Sequence, residues 1–245
     1  MRILIIILLV IGFNSPGFGQ NVLVFTKTGH YRHTCLPEAI KGFVEMAEEN
    51  NWKCTFTEDA TFFTKGILNK FDVVVFLLTN KDILTETQQM SFKGYIKSGG
   101  GFVGVHSATV TELKWPWFGD LIGARFIGHS GVQKGKIIIE DNTHPATEHL
   151  DIESIDWEDE WYSLNKSPRE NVNVLISLDE NSITMKNFNG KDMSMGDHPI
   201  AWYHVFDGGR IFQTQLGHRP ELYQNPIFRK HIIGAIHWAS KKVKQ

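Results

Sequence analysis

Only two of the 245 residues are cysteine, and two thiols cannot build the disulfide framework that staples small exported folds. Cys35 precedes a helical stretch and Cys54 lies in the strand-like stretch after it. In a β-α-β crossover those ends point apart, so free thiols are expected and stability must come from an apolar core. Nor does either charge dominate. Lys and Arg number 25 against 27 Asp and Glu, a net charge of −2, which leaves no basic footprint for nucleic acid. The longest aliphatic run, Ile3 to Ile11, falls well short of the ~20 residues that span a bilayer. Stable membrane insertion is therefore not expected. There is no Walker-type Gly-Lys-Ser or Gly-Lys-Thr, no His-x-x-x-His, no internal repeat and no low-complexity tract. The glycine run Gly99-Gly100-Gly101 precedes its strand, so the dinucleotide fingerprint fails as well.

The first residues carry a recognisable order. Arg2 is followed by the aliphatic run and then by small residues, with Gly17 and Gly19 at alternate positions. A basic start, a short apolar centre and a small-residue exit mark a secretory signal. Residues 1–19 are expected to be a cleaved leader, residues 20–245 one domain, and the mature protein periplasmic or secreted.

Along that domain, apolar runs alternate with helical spacing. Asn21–Thr26, Trp52–Thr57, Asp72–Leu78 and Phe102–Val105 read as strands. Leu36–Asn50 and Thr85–Ser98 read as helices, the first facing inward through Ile40, Phe43, Val44 and Ala47. Pro37 suits a first helical turn, and Thr85 with Gln88 makes a capping box. The order is that of a doubly wound parallel sheet. Further on, a short helix over Trp115–Ile122 and strands over Gly135–Glu140, Ile155–Tyr162, Val172–Ser177, Ile200–Phe206 and Ile211–Gln215 are expected. Asp207-Gly208-Gly209-Arg210 reads as a hairpin turn, and Pro226–Lys241 as a closing helix.

Chemistry is expected where the fourth strand stops. Ligands of open α/β sheets bind beyond the carboxyl ends of the strands, and Phe102–Val105 ends at His106. Several α/β enzymes hold a nucleophile on such a strand-to-helix turn; here the tip carries an imidazole. The eleven histidines include several at suspected element ends, among them His30, His33, His106, His129 and His218. The acidic, aromatic run Asp156 to Tyr162 is a second candidate. In a strand, Asp156, Glu158 and Glu160 face one way and Trp157, Asp159 and Trp161 the other. Carboxylates bind sugar hydroxyls and rings stack on pyranose faces, although a solvated acidic edge over a tryptophan-lined core fits the pattern equally well.

Taken together, several segments resemble the ThuA-like (trehalose utilisation) family of the class I glutamine amidotransferase-like superfamily. They are Gly29–His33, Gly99–Ala108, Phe126–His129, His144–Thr147, Asp159–Tyr162, Pro199–Trp202, Gly209–Phe212 and Leu216–His218. The resemblance implies a flavodoxin-like α/β domain with extra C-terminal strands and a site at the His106 corner. The superfamily's Gly-x-Cys-x-Gly is here Gly104-Val105-His106-Ser107-Ala108, so Cys-dependent glutamine hydrolysis is excluded.

The resemblance further implies an enzyme of hydrolase, lyase or isomerase type. Its substrate would be a small carbohydrate: a disaccharide, a glycoside or the 3-keto derivative of one. His106 is expected as general base or metal ligand, His218 as its partner and Glu160 as acid/base. His30, Arg32, His33, Trp161 and Arg210 are expected to bind substrate. A divalent metal such as zinc, on His106, His129 and His218, is also expected. The competing class is a carbohydrate-binding protein without catalysis.

Overall fold

The first strand, β1, spans Asn21–Phe25 and feeds helix α1, Leu36–Glu49, which leads back to β2, Lys53–Thr57. A short helix, α2 (Lys65–Leu68), precedes β3 (Val73–Leu77). Helix α3 (Glu86–Lys97) follows, and then β4 (Gly101–Val105) and the short helix α4 (Pro116–Ile122). Five more strands complete the sheet. They are β5 (Phe126–Ile139), β6 (Ser154–Leu164), β7 (Asn173–Asp179), β8 (Pro199–Phe206) and β9 (Gly209–Thr214). Helix α5, Pro226–Ala239, ends the fold. This computed structural model describes residues 19–241, so the expected leader lies outside the described residues except for Gly19.

The strand order is β2-β1-β3-β4-β9-β8-β7-β5-β6. The first five run parallel and the remainder antiparallel. The parallel half is flavodoxin-like, and its strands are apolar on both faces because helices cover both. Val22, Val24, Val73, Val75, Val103 and Val105 pack toward α1 and α5. Their neighbours Leu23, Phe25, Val74, Phe76 and Phe102 pack toward α2, α3 and α4. The capping box on α3 forms as its sequence predicts, and Asp207 (φ 50°) and Gly208 (φ 95°) make the tight β8–β9 turn. Both cysteines are free.

Two local expectations change. Val44 is exposed and does not share the inward face of α1. Strand β5 begins at Phe126, not Gly135, because a bulge between His129 and Val132 lets the glycine-rich stretch before it pair with β6.

Strand β6 is the far edge strand, five places from β4. In a flat sheet that is about 24 Å away at ~4.8 Å per neighbour. Yet the Glu160 carboxylate on β6 lies 3.5 Å from the His106 ring after β4. The antiparallel half therefore coils back over the carboxyl end of the parallel half.

Candidate active site

Three parallel strands deliver a histidine each to the same place. After β1 comes His33, after β4 His106, and after β9 His218, all buried or half-buried. His106 adopts φ 53°, a left-handed conformation that costs an L-residue about 1–2 kcal/mol. The sharp turn stops the strand and swings the imidazole across the sheet edge. Its Nδ1 donates to the Gln215 carbonyl at 2.8 Å, which in the neutral ring leaves a lone pair on Nε2. That lone pair faces Nδ1 of His218 at 3.3 Å and Oε2 of Glu160 at 3.5 Å, while His218 and Glu160 are themselves 3.3 Å apart.

These separations match the edge of a tetrahedron whose ligands stand about 2.05 Å from its centre, roughly 3.3 Å. With His33, four ligand atoms lie within 4.8 Å of one another, a His/Glu cluster able to hold a metal ion. The expected metal set of His106, His129 and His218 is thus redrawn. His33 and Glu160 belong to the cluster; His129 stands behind it, its Nδ1 donating to Glu160 Oε1 at 2.8 Å.

Electrostatics follow from this crowding. Burial opposes the Glu160 charge, but His106, His129 and His218 outweigh it and hold the carboxyl well below the usual range. The bond to Glu160 raises His129. For His218 burial works downward, but Glu160 wins and the ring is raised too. His33 is driven down to about 3 by burial and by the neighbouring His106 and His218, so it remains neutral. Burial pushes the Cys35 thiol up to about 12, which removes it as a nucleophile.

The cluster forms the floor of a cavity of about 640 Å³, walled by His129, Ser107, Asn80 and Tyr162. Asn80, just past β3, accepts from the His30 backbone N–H and donates to the Tyr31 carbonyl, tying the loop after β1 in place. Asp159 works behind the floor. Fully buried, it accepts from the backbone N–H groups of Gly217, His218 and Glu160, and so fixes the segment that carries His218. Gly217, at φ 121°, supplies the turn there.

The expected site residues divide accordingly. His30, His33, His129, Glu160 and His218 line the cavity, and His106 lies under it. Trp161 does not: it is 1% exposed within the core, its indole N–H bonded to the Gln133 carbonyl, because β6 turns its odd-numbered residues inward. Arg32 points outward to Glu58 at 2.7 Å. Arg210 sits at the opposite end of β9 from the cavity, stacked over Trp238. Asp159 and Tyr162 belong to the acidic, aromatic run that the sequence singles out, whereas sequence reasoning missed Asn80, Ser107 and Tyr31 as site residues. Asn80 alone had a local signal, a polar side chain just past a buried strand tip.

Fold and site together define a flavodoxin-like α/β protein with a histidine–carboxylate cluster at the carboxyl edge of its sheet. The family model for ThuA, trehalose utilisation, matches residues 21–239, and the chain belongs to that family. This membership supports a carbohydrate-related role. No curated protein matches the chain. Among solved structures, a ThuA-like protein from Bacteroides uniformis is 23% identical with a TM-score of 0.77, over 92% of this chain and 94% of that one. A ThuA-like protein from Parabacteroides merdae is 20% identical with a TM-score of 0.71, over 93% and 92%. A cytoplasmic protein of Salmonella typhimurium is 11% identical with a TM-score of 0.63, over 90% and 100%. At these identities the likeness is one of fold. No helix among the described residues is long and apolar enough to cross a membrane.

Proposed function

We propose that this protein is an exported enzyme that moves a proton beside a carbonyl on a 3-keto derivative of a disaccharide or glycoside. The observation that carries this reading is one cavity floor that joins a metal-type donor cluster to a histidine–carboxylate pair. Export rests on the basic, apolar and small-residue order of residues 1–19.

The donors suit zinc, since imidazole and carboxylate oxygen are its usual ligands and two histidines with one glutamate form a known catalytic set. Held by His106, His218 and Glu160 with His33 beside the remaining position, zinc would act as a Lewis acid toward a substrate oxygen. The protein groups do the rest. His129 donates through Nδ1 to Glu160, which leaves its Nε2 as the proton acceptor. Glu160 then stabilises the imidazolium that forms, as a carboxylate does behind any catalytic histidine. The Ser107 hydroxyl, buried on the cavity wall without a protein partner, is free to donate to a substrate oxygen. A proton beside a ketone comes within reach of an imidazole once the oxygen that gains charge is stabilised, the part that bound zinc or the Ser107 hydroxyl would take.

The test is turnover of 3-keto-trehalose and 3-keto-glucosides, with and without added zinc, beside His106→Ala. Product from the wild-type chain and none from the variant supports the enzyme. Sugar binding that survives His106→Ala, with no turnover by either, establishes the binding-protein reading instead.

A further inference from the structure

The described residues that line the cavity include one fixed cation, Lys81, and one carboxylate, Glu160. Glu160 lies on the floor among three histidines. Lys81 is exposed at the mouth beside His30 and makes no ion pair among the described residues. The acidic side chains next to it are already engaged. Asp82 holds Lys114 at 3.3 Å, and buried Glu112 accepts from the Ile83 and Leu84 N–H groups and from Gln89. The mouth therefore carries a positive charge that the protein itself leaves unmatched.

The backbone is bent to put it there. Lys81 has φ 65°, a left-handed conformation that disfavours every side chain and that glycine adopts freely. Its N–H donates to the Val110 carbonyl at 2.8 Å, and its carbonyl accepts from the Glu112 N–H at 3.0 Å. These two bonds tie the loop after β3 to the loop after β4. On the other side Gly29 makes room, since a Cβ there would lie 2.8 Å from the Lys81 Cβ. A lysine that holds a glycine conformation at the mouth of a site argues for a use of its side chain.

We infer that Lys81 forms an anion subsite at the cavity mouth, which receives a carboxylate carried by the sugar whose carbonyl lies on the histidine floor. This rests on the proposed function for the sugar and adds a charge to it: the substrate is an acidic glycoside, a uronic acid derivative, in place of a neutral one. A uronic acid carries its carboxylate on C5, two ring carbons from a C3 carbonyl, so the two groups can meet the rim and the floor of one cavity. One ammonium matches one carboxylate, whereas phosphate sites gather several N–H donors or a guanidinium fork. An ion pair at a solvent-facing mouth adds little to affinity, so the subsite acts on selectivity.

The test compares affinity for methyl 3-keto-α-glucuronide, which carries the carboxylate, and methyl 3-keto-α-glucoside, which does not, by titration calorimetry on the full chain. The 6-phosphate of the second compound is a third ligand. At low salt the wild type binds the glucuronide about fivefold more tightly than the glucoside, and high salt shrinks the margin. Lys81→Gln and Lys81→Gly remove the margin, and Lys81→Arg keeps it. Lys81→Gly also melts about 2–4 °C higher, because glycine relieves the left-handed backbone, so its lost selectivity is not a lost fold. Equal wild-type affinities for glucuronide and glucoside overturn the subsite, whatever turnover shows. A margin that survives Lys81→Gln overturns it too, since the carboxylate then binds elsewhere in the cavity. Tighter binding of the 6-phosphate than of the glucuronide overturns the carboxylate. If no ligand binds, the proposed function fails and takes the subsite with it. A Lys81-dependent margin without turnover leaves the subsite standing and removes only the reaction.

Discussion

Nε2 of His106 and Nδ1 of His218 face each other at 3.3 Å across 112 residues of sequence. Because His106 spends Nδ1 on the Gln215 carbonyl, its other nitrogen has a lone pair to offer in the neutral ring. Two ring nitrogens so placed, beside the same oxygen of Glu160, need a cation or a shared proton between them. The fold assembles that need from three loops and an edge strand.

Zinc is the first probe of it. Added zinc raises the melting temperature of the wild-type chain, by about 2.7 kcal/mol of stabilisation at a hundredfold excess over Kd. His106→Ala and His218→Ala abolish the rise. His129→Gln keeps it with affinity lowered about 10- to 100-fold, as for a residue that orients a ligand. Calorimetric titration of the three variants separates His129 from the ligands.

His129→Gln also isolates proton transfer. With 3-keto-trehalose as substrate, kcat falls about 10²- to 10⁴-fold while KM changes little. In the wild type, kcat/KM rises with pH, because the acceptor must be neutral. In the metal-free chain Glu160 raises the His129 midpoint above the ordinary histidine value of 6.5, and a cation bound to Glu160 opposes that shift. A flat acid limb in the rate profile would remove His129 as the base.

Asp159→Asn tests the support behind the floor. The carboxylate accepts three backbone N–H groups, and an amide turns one acceptor into a donor aimed at them. The variant loses about 3 kcal/mol of stability and binds zinc less tightly, because the Gly217–His218 segment shifts. Urea unfolding and zinc titration on the same preparation read the two effects.

Two histidines far from the cavity contribute to the acid stability. Burial drives His144 and His231 each down to about 4. The unfolded chain, with histidines near 6.5, binds more protons than the folded chain between these values. Stability is therefore full above pH 6.5 and falls as pH drops toward 4, by up to about 3 kcal/mol for each residue. Replacing His231 with Gln flattens this slope in urea unfolding measured from pH 7 to pH 4.

Much of the molecule was legible without coordinates. Strand tips, the capping box of α3, the turn at Asp207-Gly208 and the placing of His106 follow from local spacing and backbone preference, which act over a few residues. The doubly wound order follows because apolar runs as short as Val73–Leu77 can be buried only between two layers of helices. The sequence alone also excluded a thiol nucleophile at the elbow. Which donors meet there was decided by the tertiary structure. Glu160 reaches His106 because the sheet coils and β5 bulges, and His129 is set behind the cluster by the same bulge. Alternation in β6 left open which of its faces meets the core; packing buried Trp161 and turned Glu160 to the cavity. Local rules set what each residue can do, and long-range packing chose its partners.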